Sequence, residues 1–315
     1  MNPRRAVLLG TFALFGASGT LHAQGAYEIE VYSTEIAPVK SLLLELHSNY
    51  TFRGRDKTTA TNSPPLDAGE WIAGGFGVAQ SVSRGTADCT HIVLPFFQVA
   101  APSRVSLKLA DLTGTPCVAA PTGSYALHET IEAVTGLTSW SEIGAYLMTS
   151  EQIGPLVRPI GGALRYKVRA PGAWNWPVNV ALSTELEYDD PRYSTDTWTW
   201  EIRPVIDRSF GRWYASLNPT LERTLQGAGT TSGIQFAPSA KASFDFTEKL
   251  TAGAEYYAAY GKIGGFAPGA SRIQQIFGTV DFHLSPLWEL NTGLGAGATP
   301  ATSRLVAKLI IGRRF

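Results

Sequence analysis

Charge is scarce in this sequence. Of 315 residues only 17% are Asp, Glu, Lys or Arg, against roughly a quarter in soluble domains. The 26 basic and 26 acidic side chains cancel. A chain with no basic excess has no nucleic-acid footprint, which needs clustered Lys and Arg. Cysteine is nearly absent: Cys89 and Cys117 are the two, and they form no zinc-spaced set. No phosphate loop or dinucleotide fingerprint occurs either, so no cofactor is implied. Beyond residue 24 there is no run of about 18 apolar residues, which excludes a membrane-spanning helix. Glycine, at 32 residues, and aromatics, at 11%, fill the gap. That mixture suits many strands joined by tight turns.

The first 23 residues read as a signal peptide. Arg4 and Arg5 give a positive start, residues 6–17 an apolar stretch too short to span a bilayer, and Leu21-His22-Ala23 a small-residue cleavage site before Gln24. Residues 24–40 then form a periplasmic lead-in to a domain over 41–315. Export exposes the chain to oxidising conditions, which allow a Cys89–Cys117 disulfide; two free thiols are the alternative.

From residue 160 onward, segments of about ten residues alternate apolar and polar positions, with turn residues between them. That is the pattern of a transmembrane barrel. In residues 178–188 the even positions, such as Leu182 and Leu186, suit lipid, and the odd ones, such as Ser183 and Glu185, suit water. Trp198, Trp200, Ile202 and Ile206 share one face, with Glu201, Arg203 and Asp207 on the other. The first half follows suit: Leu42, Leu44, Leu46, Tyr50 and Phe52 oppose Glu45, His47 and Asn49. One residue conflicts: Glu129 falls on the lipid side of its strand unless a bulge or a rim position accommodates it.

A soluble sandwich also alternates, but three features favour the membrane. Trp174, Trp176, Trp198, Trp200, Trp213 and Trp288 gather at strand ends, as in an interfacial girdle. Turns alternate between short and long. The chain ends on an alternating strand closed by Phe315, which reads as the signal taken up by the outer-membrane assembly machinery. Arg313 breaks that face, at a rim where a lipid-facing arginine costs only about 0–1 kcal/mol.

The expected fold is therefore all-β, an antiparallel up-and-down barrel in the outer membrane of a Gram-negative bacterium. It has about twelve strands, near 41–52, 125–135, 140–149, 163–170, 178–188, 197–207, 213–224, 234–246, 251–260, 273–284, 288–298 and 304–315. Its partners are outer-membrane lipid, lipopolysaccharide, the assembly machinery and a small solute. Residues 54–123 break the rhythm and read as a long external loop; a hairpin within them would raise the count to fourteen.

The stretches Gly25-Ala26-Tyr27-Glu28-Ile29-Glu30-Val31-Tyr32, Glu45-Leu46-His47-Ser48-Asn49-Tyr50, His128-Glu129-Thr130-Ile131-Glu132, Trp198-Thr199-Trp200-Glu201-Ile202-Arg203-Pro204 and Ile310-Ile311-Gly312-Arg313-Arg314-Phe315 resemble one family. These are the uncharacterised outer-membrane proteins grouped as transporters of the phenol meta-cleavage pathway. The resemblance covers residues 25–53 and 124–315. It implies a barrel with passive uptake of small, hydrophobic or aromatic solutes, and carries no catalytic or binding residues with it.

No catalytic constellation is supported. His47-Ser48-Asn49 has the right residue types for a nucleophile and base, but neighbours on a strand point to opposite faces. His128 and Glu132 lie four residues apart on a strand, about 13 Å, too far to share a metal. Gly293, Gly295 and Gly297 face inward and leave room in the lumen. The candidate constriction is an ion-paired belt of Arg165, Glu185, Glu201 and Arg203. Its expected register sets Glu185 opposite Glu201, Ser183 opposite Arg203, Arg203 beside Asn218, Glu201 beside Thr220, and Arg165 level with Ser183. Two functions fit such a barrel: a passive channel, or a non-conducting barrel serving as enzyme, adhesin or structural anchor.

Overall fold

The computed structural model describes residues 27–55, 83–84, 87–88, 117–118, 125–150, 158–192 and 194–315. The signal-peptide segment, Cys89 and most of the 54–123 insert lie outside the described residues, and so does the expected disulfide.

Twelve long strands form one sheet that closes on itself. They are β1 (Leu42–Arg53), β2 (Ala126–Thr138), β3 (Ser141–Ser150), β4 (Arg158–Arg169), β5 (Asn179–Asp189), β6 (Asp196–Phe210), β7 (Trp213–Gly227), β8 (Gln235–Thr247), β9 (Leu250–Ala259), β10 (Ile273–Ser285), β11 (Trp288–Gly297) and β12 (Leu305–Arg314). Each pairs antiparallel with the next in sequence, and a short strand, Gly261–Lys262, adds to one end of β8. Closure is made by β12 on β1, from Leu43 opposite Arg314 to Arg53 opposite Leu305. Leu42 and Phe315 exchange backbone hydrogen bonds at its lower end. Closure leaves no strand edge to be satisfied by solvent.

The same pairing decides between twelve and fourteen strands. One edge of β1 is occupied by β12 and the other by β2, with Leu42 opposite Thr135 and Thr51 opposite Ala126. No hairpin from the insert can enter between them. The described parts of the insert, Ser83–Arg84, Ala87–Asp88 and Cys117–Val118, pair only with one another.

Side-chain direction follows the period of two. Leu46, Leu164, Leu182, Leu217, Ile276 and Leu294 point outward and are exposed, while His47, Arg165, Ser183, Asn218, Phe277 and Lys308 point inward and are buried. A soluble monomer rarely exposes a contiguous apolar patch beyond a few hundred Å², so this band must face lipid. Among the described residues no helix is long and apolar enough to cross a membrane; the strands do the crossing. One rim carries tight turns and both ends of the barrel, with Trp140, Trp174, Trp176, Trp213 and Trp288 exposed around it. There Arg313 lies over the rings of Trp288 and Phe315, at 5.2 and 4.8 Å.

Polar groups on the lipid face satisfy one another. Glu129 sits opposite Ser48, whose Oγ donates to its carboxylate at 3.0 Å. Thr184 accepts the indole N–H of Trp200 at 2.8 Å and donates to the Glu201 carbonyl at 3.1 Å. No bulge is needed to place Glu129, since its neighbouring strand supplies the donor.

Candidate functional site

The barrel interior is filled by the chain's own N-terminal segment. The stretch expected as a periplasmic lead-in instead enters at the tight-turn rim and runs up through the lumen. The reason is local: its backbone N–H and C=O groups find wall side chains to bond, strand by strand. The Ala37 N–H donates to Glu142 at 2.6 Å, and the Thr34 N–H to Asp207 at 2.6 Å. The Tyr32 N–H donates to Asn218 Oδ1 at 2.7 Å, and its carbonyl accepts from Ser216 at 2.7 Å and Asn218 at 3.1 Å. The Ile29 carbonyl accepts Lys308 Nζ at 3.1 Å, and the Tyr27 carbonyl accepts Thr130 Oγ1 at 2.9 Å. Where the segment enters, Gly136 makes the space: a Cβ there would lie 2.0 Å from the Ala37 carbonyl oxygen and 2.7 Å from that of Pro38.

Tyr32 is the centre of this arrangement. Its ring lies beneath the guanidinium of Arg203, 4.1 Å away, and beside that of Arg165, 4.8 Å away. Its hydroxyl bonds Glu28 and, at 2.8 Å, the hydroxyl of Tyr146. Cation–π contacts of this kind gain most when desolvated, about 2 kcal/mol or more, and Tyr32 is 3% exposed. Ile29 and Val31 pack on the other side with Tyr257, Phe277 and Val306.

All four belt candidates face the lumen, but Arg203 with Glu201 and Arg165 fall in two separate ion-pair groups, and Glu185 in neither. Arg203 binds Glu201 at 2.8 Å, with Glu28 of the segment at 4.0 Å. Arg165 binds Glu132 at 2.6 Å and Glu142 at 3.0 Å, and Lys167 joins Glu142 at 2.9 Å. Glu185 lies opposite both Arg165 and Glu201 in register, yet its Oε2 has no hydrogen-bond partner among the described residues. Ser183 is opposite Arg203 as expected, whereas Lys167, not Arg165, is level with Ser183, and Glu222, not Thr220, faces Glu201, a register that also moves Asn218 off its expected place beside Arg203. Both differences are two residues long. The β6–β7 turn is set by Gly211, which adopts φ 64° and lets Phe210 pair with Trp213. A third group, Lys241 with Glu255 at 3.3 Å and Asp281 at 3.0 Å, lies across the lumen, where Lys308 also binds Glu255.

The glycines of β11 do not leave the lumen empty. Phe277 fills the space, and a Cβ on Gly295 would lie 2.4 Å from its ring. A vestibule of about 680 Å³ is open at the tight-turn rim, lined by Glu45, Lys241, Glu255, Asp281 and Glu289 and by Glu30 of the segment. His47 and Ser48 face opposite sides, as the period requires. His128 packs edge-on against Tyr27, with ring centroids 4.8 Å apart, while Glu132 lies by His47, at 3.3 Å.

The segment was missed because it was read only as a connection. Its signal was present: Glu28, Glu30 and Tyr32 alternate with Ile29 and Val31, a strand-like pattern with no partner strand assigned.

A closed antiparallel barrel with an apolar outer band, aromatic rims and a polar, plugged interior belongs to the outer-membrane class of transmembrane barrels. An outer membrane channel from Pseudomonas putida F1 has the same fold: the match covers 91% of this chain and 100% of that one, with a TM-score of 0.52 and 9% identity. The KdgM porin (TM-score 0.39, 9% identity, 60% of this chain and 91% of that one) and the DcaP channel of Acinetobacter baumannii (0.33, 9%, 91% and 100%) are looser likenesses. No family model and no curated protein matches the chain.

Proposed function

We propose that this chain is a passive channel of the bacterial outer membrane, closed at rest by residues 27–38 and admitting small solutes when that segment yields. The observation that carries the reading is how the segment is held. It is bonded through wall side chains and not through a continuous strand ladder, so it can leave without opening the barrel. The wall stays closed through its own twelve pairings. The vestibule, at about 680 Å³, falls within the range of small-molecule sites, about 300–1,000 Å³. A preference for hydrophobic or aromatic solutes rests on the sequence resemblance to the phenol meta-pathway transporters.

Swelling of proteoliposomes in small solutes tests this. Asn218→Ala removes both hydrogen bonds to the Tyr32 backbone, together with those to Ser216 and Ser239, without touching the seam. Faster swelling than with the full-strength chain supports a plugged channel. Equal rates, from a variant shown to be folded, would favour the non-conducting barrel.

A further inference from the structure

The structure assigns a divalent-metal site to Glu30, His47 and Glu132, where the N-terminal segment meets β1 and β2. One donor atom from each of the three residues lies within 4.8 Å of the others. His47 and Glu132 are diagonal neighbours on the lumen face, since Glu45 is directly opposite Glu132 and Thr130 opposite His47. Their Nε2 and Oε2 atoms are 3.3 Å apart. Ligands about 2.0–2.1 Å from a tetrahedral Zn²⁺ stand roughly 3.3 Å apart, so this edge of the coordination shell is already formed.

The second observation is that three of the buried donor and acceptor atoms here have no aligned hydrogen bond. Neither ring nitrogen of His47 nor Oε2 of Glu132 has a hydrogen-bond partner among the described residues, and both side chains are 1% exposed. Leaving such atoms buried and unsatisfied is costly. Their 3.3 Å approach lacks hydrogen-bond alignment, whereas a cation between them would satisfy both. Arg165 holds the other oxygen of Glu132 at 2.6 Å, turning Oε2 toward His47. Outer partners of this kind fix ligating carboxylates in metal sites. One imidazole and two carboxylates form a borderline-to-hard donor set that suits Zn²⁺ and its first-row neighbours. Bridging Glu30 to the wall would clasp the segment in the lumen. That consequence rests on the plugged-channel reading; the binding itself does not.

The test uses the full mature chain in detergent, without a histidine tag, stripped with chelator and titrated with Zn²⁺ by calorimetry. One ion per chain is expected, with affinity at least tenfold weaker in His47→Ala and in Glu30→Gln, and unchanged in His283→Ala. Glu30 lies outside the barrel strands, so Glu30→Gln remains informative if His47→Ala fails to fold. A folded wild type that binds no Zn²⁺, or binding that survives both substitutions, overturns the site while leaving the plugged channel standing. Conductance measured with and without Zn²⁺ then separates the clasp from the site: Zn²⁺ that binds to these residues without lowering conductance overturns the clasp alone.

Discussion

Arg203 shows how much one lumen side chain holds. It is 1% exposed, pairs with Glu201, approaches Glu28 and covers the Tyr32 ring. Removing one partner of a buried ion pair costs about 3–5 kcal/mol, because the other charge is left alone in a low dielectric. Arg203→Ala should therefore lower the temperature at which the folded band is lost in heat-modifiability gels. An unchanged transition would show that water already screens these charges. Gly295 makes the opposite point about space. Alanine there would place a methyl 2.4 Å from the Phe277 ring, and overpacking costs about 1–3 kcal/mol. Gly295→Ala should destabilise the barrel, and adding Phe277→Leu should restore part of the loss; failure of that rescue would mean that the glycine matters for another reason.

Among the elements, the strands were legible and the segment was not. A period of two survives in every strand because one face meets lipid and the other a wet or bonded interior, so residues such as Leu182 and Ser183 declare their sides. Register was less legible. It depends on where a turn closes, and Gly211 shifts the β6–β7 pairing by two residues from a turn placed by composition alone. Residues 27–38 gave a strand-like pattern but no partner, since their partners are side chains spread over β2, β3, β6, β7 and β12. The ion pairs of Arg165 were hidden for the same reason: Glu132 and Glu142 come from strands two and one removed from β4, and only barrel curvature brings them together. The segment's fit at its entry can be tested directly. In Gly136→Val a Cβ would meet the Ala37 and Pro38 carbonyls, which are backbone and cannot swing aside. Hydrogen exchange should rise across residues 27–38 while β1–β12 keep their protection. Unchanged exchange in the segment would place its anchorage elsewhere.

At the scale of the molecule, closure and plugging are separate properties. The seam of β1 with β12 and eleven further strand pairings make the wall, and none of them requires a cysteine: Cys117 belongs to the small separate sheet of the insert. Reductant should therefore leave the heat stability of the barrel unchanged, and a large loss would tie the insert to the wall. The plug is bonded to that wall through at least Thr130, Glu142, Asp207, Ser216, Asn218 and Lys308, yet supplies none of its pairings. Deleting residues 27–37 should therefore leave a folded barrel with an open path. The most direct measurement is single-channel conductance in a planar bilayer, comparing the intact chain with that deletion. The intact chain should show rare, small openings and the deletion sustained, larger ones. A folded deletion variant that conducts no more than the intact chain would contradict the account.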